Sequence, residues 1–238
     1  MRSPLGLATK PDTANKMTSP APITAAFRQA LSEAWAGGAG ALLPVGFFAG
    51  AAMLVPFGIG SQPDQLSAIG GGILWVALAL SSLVTMERIF QSDLEDGTLD
   101  LWLQADAPLA AIAAAKTLAH WLAAGLPLVL ITPLLGLMLQ LPPDQLLPAA
   151  GAYGVGGIAF FMWGGVGAAL TASVRRGGLL IALIALPLYV PTAIFGAMTL
   201  EAGAARLPPE ALFLAATSLF ACGIAPFAMA AALRLAAD

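Results

Sequence analysis

Six apolar runs, each long enough to cross a bilayer, constrain this chain more than any other feature of it. A helix needs about 20 apolar residues to span about 30 Å of hydrocarbon. Runs of that length fall at 40–59, 66–86, 117–139, 149–173, 178–200 and 211–233. They are continuous rather than alternating, which selects helices over a β-barrel. Composition agrees, since only 10% of the 238 residues are charged where a soluble domain carries about 25%. That leaves too little polar surface to cover a globule in water. The expected fold is therefore an all-α integral membrane protein. A single six-helix domain over 23–238 follows a disordered cytoplasmic tail at 1–22. The tail holds Arg2, Lys10, Lys16 and prolines, with Met17 as an alternative start, and lacks the apolar core of a signal peptide.

Turn chemistry separates several runs: Ser61-Gln62-Pro63-Asp64, Leu141-Pro142-Pro143-Asp144 and Leu207-Pro208-Pro209. Basic residues then set the orientation. An even number of spans puts both termini on one side. With the N-terminus inside, Arg2, Lys10, Lys16, Arg28, Arg88, Arg175, Arg176 and Arg234 are cytoplasmic, Lys116 stands at a helix entry, and only Arg206 lies outside. That bias is the signature of a cytoplasmic face. Ahead of the first span, Ile23, Phe27, Ala30, Leu31 and Trp35 recur at three and four residues, with Arg28, Gln29, Ser32 and Glu33 opposite. This spacing predicts an amphipathic helix on the inner membrane surface, with Trp35 at the headgroups. The alternative is a plain extension of the first span.

Several function classes have little to stand on. A net charge of −3 excludes a basic nucleic-acid surface. The one cysteine, Cys222, builds neither a disulfide nor a haem-attachment motif. No Asp or Glu falls mid-span, where proton- or ion-coupled transporters keep them. Ala113-Ala-Ala-Lys116-Thr117 ends like a phosphate loop but lacks its glycines. The chain is expected to be catalytically inert, with no cofactor or metal of its own. His120, beside Trp121, has two readings: a haem or metal ligand, or an interfacial histidine hydrogen-bonded to a neighbouring helix. No second ligand stands in register with it, which favours the hydrogen-bonded role. Gly46-Phe-Phe-Ala-Gly50 and the glycines at 151–167 suit close helix packing, within the chain or between copies.

The most charged stretch between spans is 87–107. Glu87, Asp93, Glu95, Asp96, Asp100 and Asp106 stand against Arg88 alone, a net charge of about −5. Ile89, Phe90, Leu94, Leu99, Leu101, Trp102 and Leu103 are threaded through it. Asp96-Gly97-Thr98 reads as a break before a helix start, with Thr98 as N-cap and Asp100 in the first turn. Two short amphipathic helices with a sharp bend are expected. Their apolar side chains call for a cover, either the membrane surface or a groove on a soluble subunit. The candidate interface is Glu87, Arg88, Phe90, Asp93, Leu94, Glu95, Asp96, Gly97, Thr98, Leu99 and Trp102. Arg175 and Arg176 in the other cytoplasmic turn offer a second contact.

The string Glu95-Asp-Gly-Thr-Leu-Asp100 resembles the coupling-loop element of ABC-2-type exporter membrane subunits. Gly72-Ile-Leu-Trp-Val-Ala-Leu running into Glu87-Arg-Ile-Phe-Gln-Ser-Asp-Leu-Glu-Asp-Gly97, with Ala115-Lys-Thr-Leu-Ala-His-Trp, Arg175-Arg-Gly-Gly-Leu-Leu and Pro226-Phe-Ala-Met-Ala-Ala-Ala-Leu-Arg, is similar to the haem exporter protein B (CcmB) family over about 24–236. The resemblance implies a permease subunit in the bacterial inner membrane with both termini cytoplasmic, working as a homodimer. Its implied partners are a CcmA-like ATPase, which uses ATP and Mg, a haem-handling CcmC-like membrane protein, a small CcmD-like protein and the periplasmic haem chaperone CcmE. The implied task is to couple ATP hydrolysis to release of the loaded chaperone. In that family the haem ligands belong to other subunits, so no ligand role carries over to His120. Two other readings stay open: an ABC-2-type exporter of another hydrophobic solute, and a membrane scaffold without ATP-linked motion.

Overall fold

A computed structural model describes residues 22–36, 42–60, 62–174, 177–201 and 209–237. Pro22, the last residue of the expected disordered tail at 1–22, instead opens the first helix, while residues 1–21, the Arg175–Arg176 contact and Arg206 lie outside the described residues. What is described is helical, with no strand among the described residues. The chain begins with α1 (Pro22–Ala36), then α2 (Leu42–Ile59) and α3 (Pro63–Met86). Two short helices follow, α4 (Gln91–Glu95) and α5 (Thr98–Gln104). The third span is broken into α6 (Leu109–His120), a wide π turn at Trp121–Gly125 and α7 (Leu126–Met138). It is followed by α8 (Leu146–Leu170), α9 (Gly178–Glu201) and α10 (Pro209–Ala237). Six helical segments are long and apolar enough to cross a membrane, as the six apolar runs require. This is an all-α integral membrane protein.

Two boundaries differ from the sequence reading by more than three residues. The third span starts at Leu109 rather than 117, so Lys116 lies two turns inside a helix and not at its entry. The last helix runs on to Ala237. The break in the third span has a local cause. The π turn falls directly before Pro127, which has no N–H to give, and the Leu126 amide reaches back five residues to the Trp121 carbonyl.

The core sits around α8, which packs most extensively on α10 and α9 and also meets α3 and α7. Trp75 of α3 is its wedge. The indole is 1% exposed, lies 4.4 Å from the Tyr153 ring and meets Phe160 edge-on at 5.9 Å. Glycines at two facing positions make the room. A Cβ on Gly156 would sit 2.5 Å from the Trp75 ring, and one on Gly196 would sit 2.3 Å away. No water competes inside a bilayer, so contact of this kind, rather than hydrophobic burial, holds spans together. Few polar bonds cross the bundle among the described residues. The Tyr153 hydroxyl donates to the Gly71 carbonyl at 2.9 Å, and Ser82 Oγ and the Tyr189 hydroxyl are hydrogen-bonded at 3.2 Å.

Helix α1 lies across α6 as a separate element, not an extension of α2. Its packed face differs from the one read in the sequence. Ala26 and Ala30 are buried against the bundle, while Trp35 is 62% exposed. Small side chains let the helix seat closely on α6, and the bulky ones fall to the sides.

Candidate functional site

The 87–107 stretch is an elbow built as its residues require. Helices α4 and α5 meet at Gly97, whose φ of 78° is the left-handed conformation that glycine adopts without strain. The cap is not the one read from the sequence. Thr98 is the first residue of α5, and its backbone N–H donates to Asp96 Oδ1 at 2.9 Å, so Asp96 supplies the capping oxygen. The Thr98 hydroxyl, and then its backbone N–H, lower the Asp96 carboxyl from its ordinary value.

A buried ion pair fixes the elbow to the bundle. Lys116 Nζ of α6 donates to both carboxylate oxygens of Asp93, at 2.6 Å to Oδ1. The two side chains are 1% and 2% exposed. Moving either charge from water alone costs several kcal/mol, so the two groups hold one another in place. Burial makes Asp93 a rivet rather than an outward contact. It is the one ion pair found among the described residues. Apolar anchors flank it: Phe90 and Leu99 are buried, Leu94 and Trp102 half-buried, with Thr98 half-buried beside them. Helix α5 touches both α6 and the end of α10.

The outer surface is different in character. Glu87, Arg88, Glu95, Asp96 and Gly97 of the candidate set are exposed, as are Asp100 and Asp106. Leu101 is 67% and Leu103 37% exposed on the same helix. The elbow thus turns Phe90, Asp93 and Leu99 inward and presents acids around a small apolar knob. Glu87 lies beside the start of α9. A Cβ on Gly178 would be 3.3 Å from its carboxylate oxygen, a place where the helix dipole favours an anion. That contact brings the elbow and the turn before α9 together at one end of the molecule.

Sequence reasoning placed Lys116 at a boundary and missed its role. Its partner lies 23 residues earlier, and periodicity carries no signal for such a pair. Leu101 and Leu103 were visible as apolar residues in an acidic loop, the sign of a surface awaiting a cover. His120 is half-buried, its ring 6.0 Å from Phe161, and its Nε2 is buried without a hydrogen-bond partner among the described residues. No cluster of metal-ligating side chains occurs among the described residues. Beside His120 and Lys116 lies an open cavity of about 340 Å³, also lined by Ala30 and Glu33 of α1 and by Arg88 and Ser92. At the opposite end of the bundle lies a larger cavity of about 640 Å³, lined by Ile69, Gly72, Leu141, Pro142, Gln145 and Leu200.

Comparison with known proteins returns one consistent relationship. A family model described as CcmB protein matches residues 22–236. The "Heme exporter protein B" of Paracoccus denitrificans is 48% identical over 200 residues, 83% of this chain and 92% of that protein. Its namesake in Bradyrhizobium diazoefficiens is 42% identical over 91% of this chain and 99% of its own length. The Escherichia coli K12 protein of the same name is 36% identical over 88% and 96%. A match across nearly the whole membrane domain, elbow included, places this chain in the CcmB protein family.

Proposed function

We propose that this chain is the non-catalytic permease subunit of a haem-handling ABC complex in the bacterial inner membrane, and that residues 87–107 take up force from a partner ATPase. The observation that carries this is the Lys116–Asp93 pair, which ties an acidic elbow with an exposed leucine knob to the third span. A loop that only joined two spans has no need of a buried rivet. A loop that is pushed needs one, because a displacement of α5 must reach α6 and α10 without being absorbed by local bending. The names of the relatives direct the cargo assignment to haem.

In this reading both termini and the elbow face the cytoplasm, and two copies of the chain pair with two ATPase subunits that hold the ATP and its Mg. The exposed face of Glu95, Asp96, Asp100 and Leu101 docks on the ATPase, with the α8–α9 turn as a second contact. Closure of the ATPases tilts α3 and α6 and reshapes the far end of the bundle, where the 640 Å³ cavity lies. That change releases the haem-loaded periplasmic chaperone. The CcmC-like and CcmD-like subunits deliver haem beside it. The test replaces the gene with a Leu101→Asp variant and stains cells for c-type haem, with ATPase activity of the purified complex alongside. Both are expected to fall with the chain still inserted. Unchanged cytochromes c together with unchanged ATPase activity refute the coupling.

A further inference from the structure

Helix α1 is laid on α6 by its alanine face, and this leaves a groove along its other flank. The groove has a volume of about 530 Å³ and is lined by Ile23, Thr24, Phe27, Arg28, Ala115 and Leu118. Its walls are almost wholly hydrocarbon, and Leu118 is 36% exposed at its edge, so the groove opens on the outer surface of the bundle. Arg28 is exposed at its mouth and forms no ion pair with any described residue. The groove sits where α1 meets the elbow-side half of the third span.

We propose that this groove seats one anionic phospholipid, its phosphate on Arg28 and an acyl chain against Ile23, Phe27, Ala115 and Leu118. Each half of the site recognises one half of such a molecule. A guanidinium presents parallel N–H donors that match phosphate oxygens. An apolar trough open to the bilayer admits an acyl chain without exposing it to water. A zwitterionic lipid brings the same chain, but its own ammonium offsets the phosphate. A headgroup without a chain forgoes the trough. The seated lipid bridges α1 and α6, the helix that carries Lys116, whichever way the elbow faces.

The test uses the full chain purified in neutral detergent and incubated with phosphatidylglycerol or phosphatidylcholine, with retained lipid read by native mass spectrometry. Retention of phosphatidylglycerol is expected to exceed that of phosphatidylcholine by about tenfold, the scale of one charge-assisted hydrogen bond. Arg28→Gln is expected to remove this preference. Leu118→Trp, which fills the groove from an exposed position, is expected to lower retention of both lipids. Arg234→Gln, a charge change at the far end of α10, leaves both as they were. Glycerol 1-phosphate is expected not to compete. Equal retention of the two lipids, no response to either groove variant, or displacement by glycerol 1-phosphate overturns the proposal. The last result marks a phosphate site and not a lipid seat.

Discussion

Lys116 and Asp93 illustrate how a single contact decides the behaviour of a whole segment. Each charge is tolerable in its buried setting only because the other is there. Replacing Lys116 with Met strands a carboxylate and is expected to cost about 3–5 kcal/mol. The double replacement Lys116→Met with Asp93→Leu removes both charges and is expected to recover most of that stability. Denaturation midpoints of the three variants in detergent check this, and a double variant no better than the single one contradicts it. Recovery of stability need not restore function, since the apolar pair no longer fixes direction. Asp96 gives a second prediction at this scale. Its carboxyl is lowered by bonds from Thr98, so the stabilisation is complete above the ordinary value of 3.8 and disappears only as pH falls through the lower folded value. Hydrogen exchange at the Thr98 amide is expected to stay protected as pH drops through 3.8 and to open only below it. In Asp96→Ala that amide exchanges quickly at every pH.

Helices and their boundaries were legible to different degrees, for physical reasons. The six spans follow from apolar length alone, and all six are helices of the structure. The bend at Gly97 was legible because a positive φ favours glycine. The start of the third span was not. Lys116 reads as a solvent-facing boundary unless Asp93 is known to lie beside it, and sequence distance hides that. The cap was misassigned because Asp96 and Thr98 flank the same glycine and both carry a capping oxygen. On α1 the 3.6-residue pattern gave the helix, but packing chose Ala26 and Ala30 over the larger side chains. The Trp75 wedge was invisible beforehand, because the glycines that admit it lie on α8 and α9. It supplies the prediction for this scale. Gly196→Ala forces a methyl to 2.3 Å from the indole, and overpacking of this kind costs about 1–3 kcal/mol. A lower melting temperature with intact membrane insertion is the expected outcome. An unchanged one means that α9 is free to shift.

The molecule as a whole carries an acidic elbow with exposed leucines at one end and an open cavity at the other. Its elbow rests on α6 and α10, its core is held by close contact around α8, and its larger cavity lies at the end away from the elbow. Such a bundle transmits displacement well, because tightly packed helices move as bodies rather than flow. The family could be read from the order of several motifs, and the comparisons agree over 22–236. Partner identity and direction of force are not carried by hydropathy, because they depend on surfaces of other chains. The elbow can receive force from a cytoplasmic ATPase only if it faces the cytoplasm, so its sidedness is the most direct test. A single Leu101→Cys change in a Cys222→Ser background puts one exposed thiol on the knob. It is then treated with a membrane-impermeant maleimide in spheroplasts and in inverted vesicles. The account predicts labelling in the inverted vesicles alone, blocked when the ATPase partner is bound. Labelling in intact spheroplasts contradicts it.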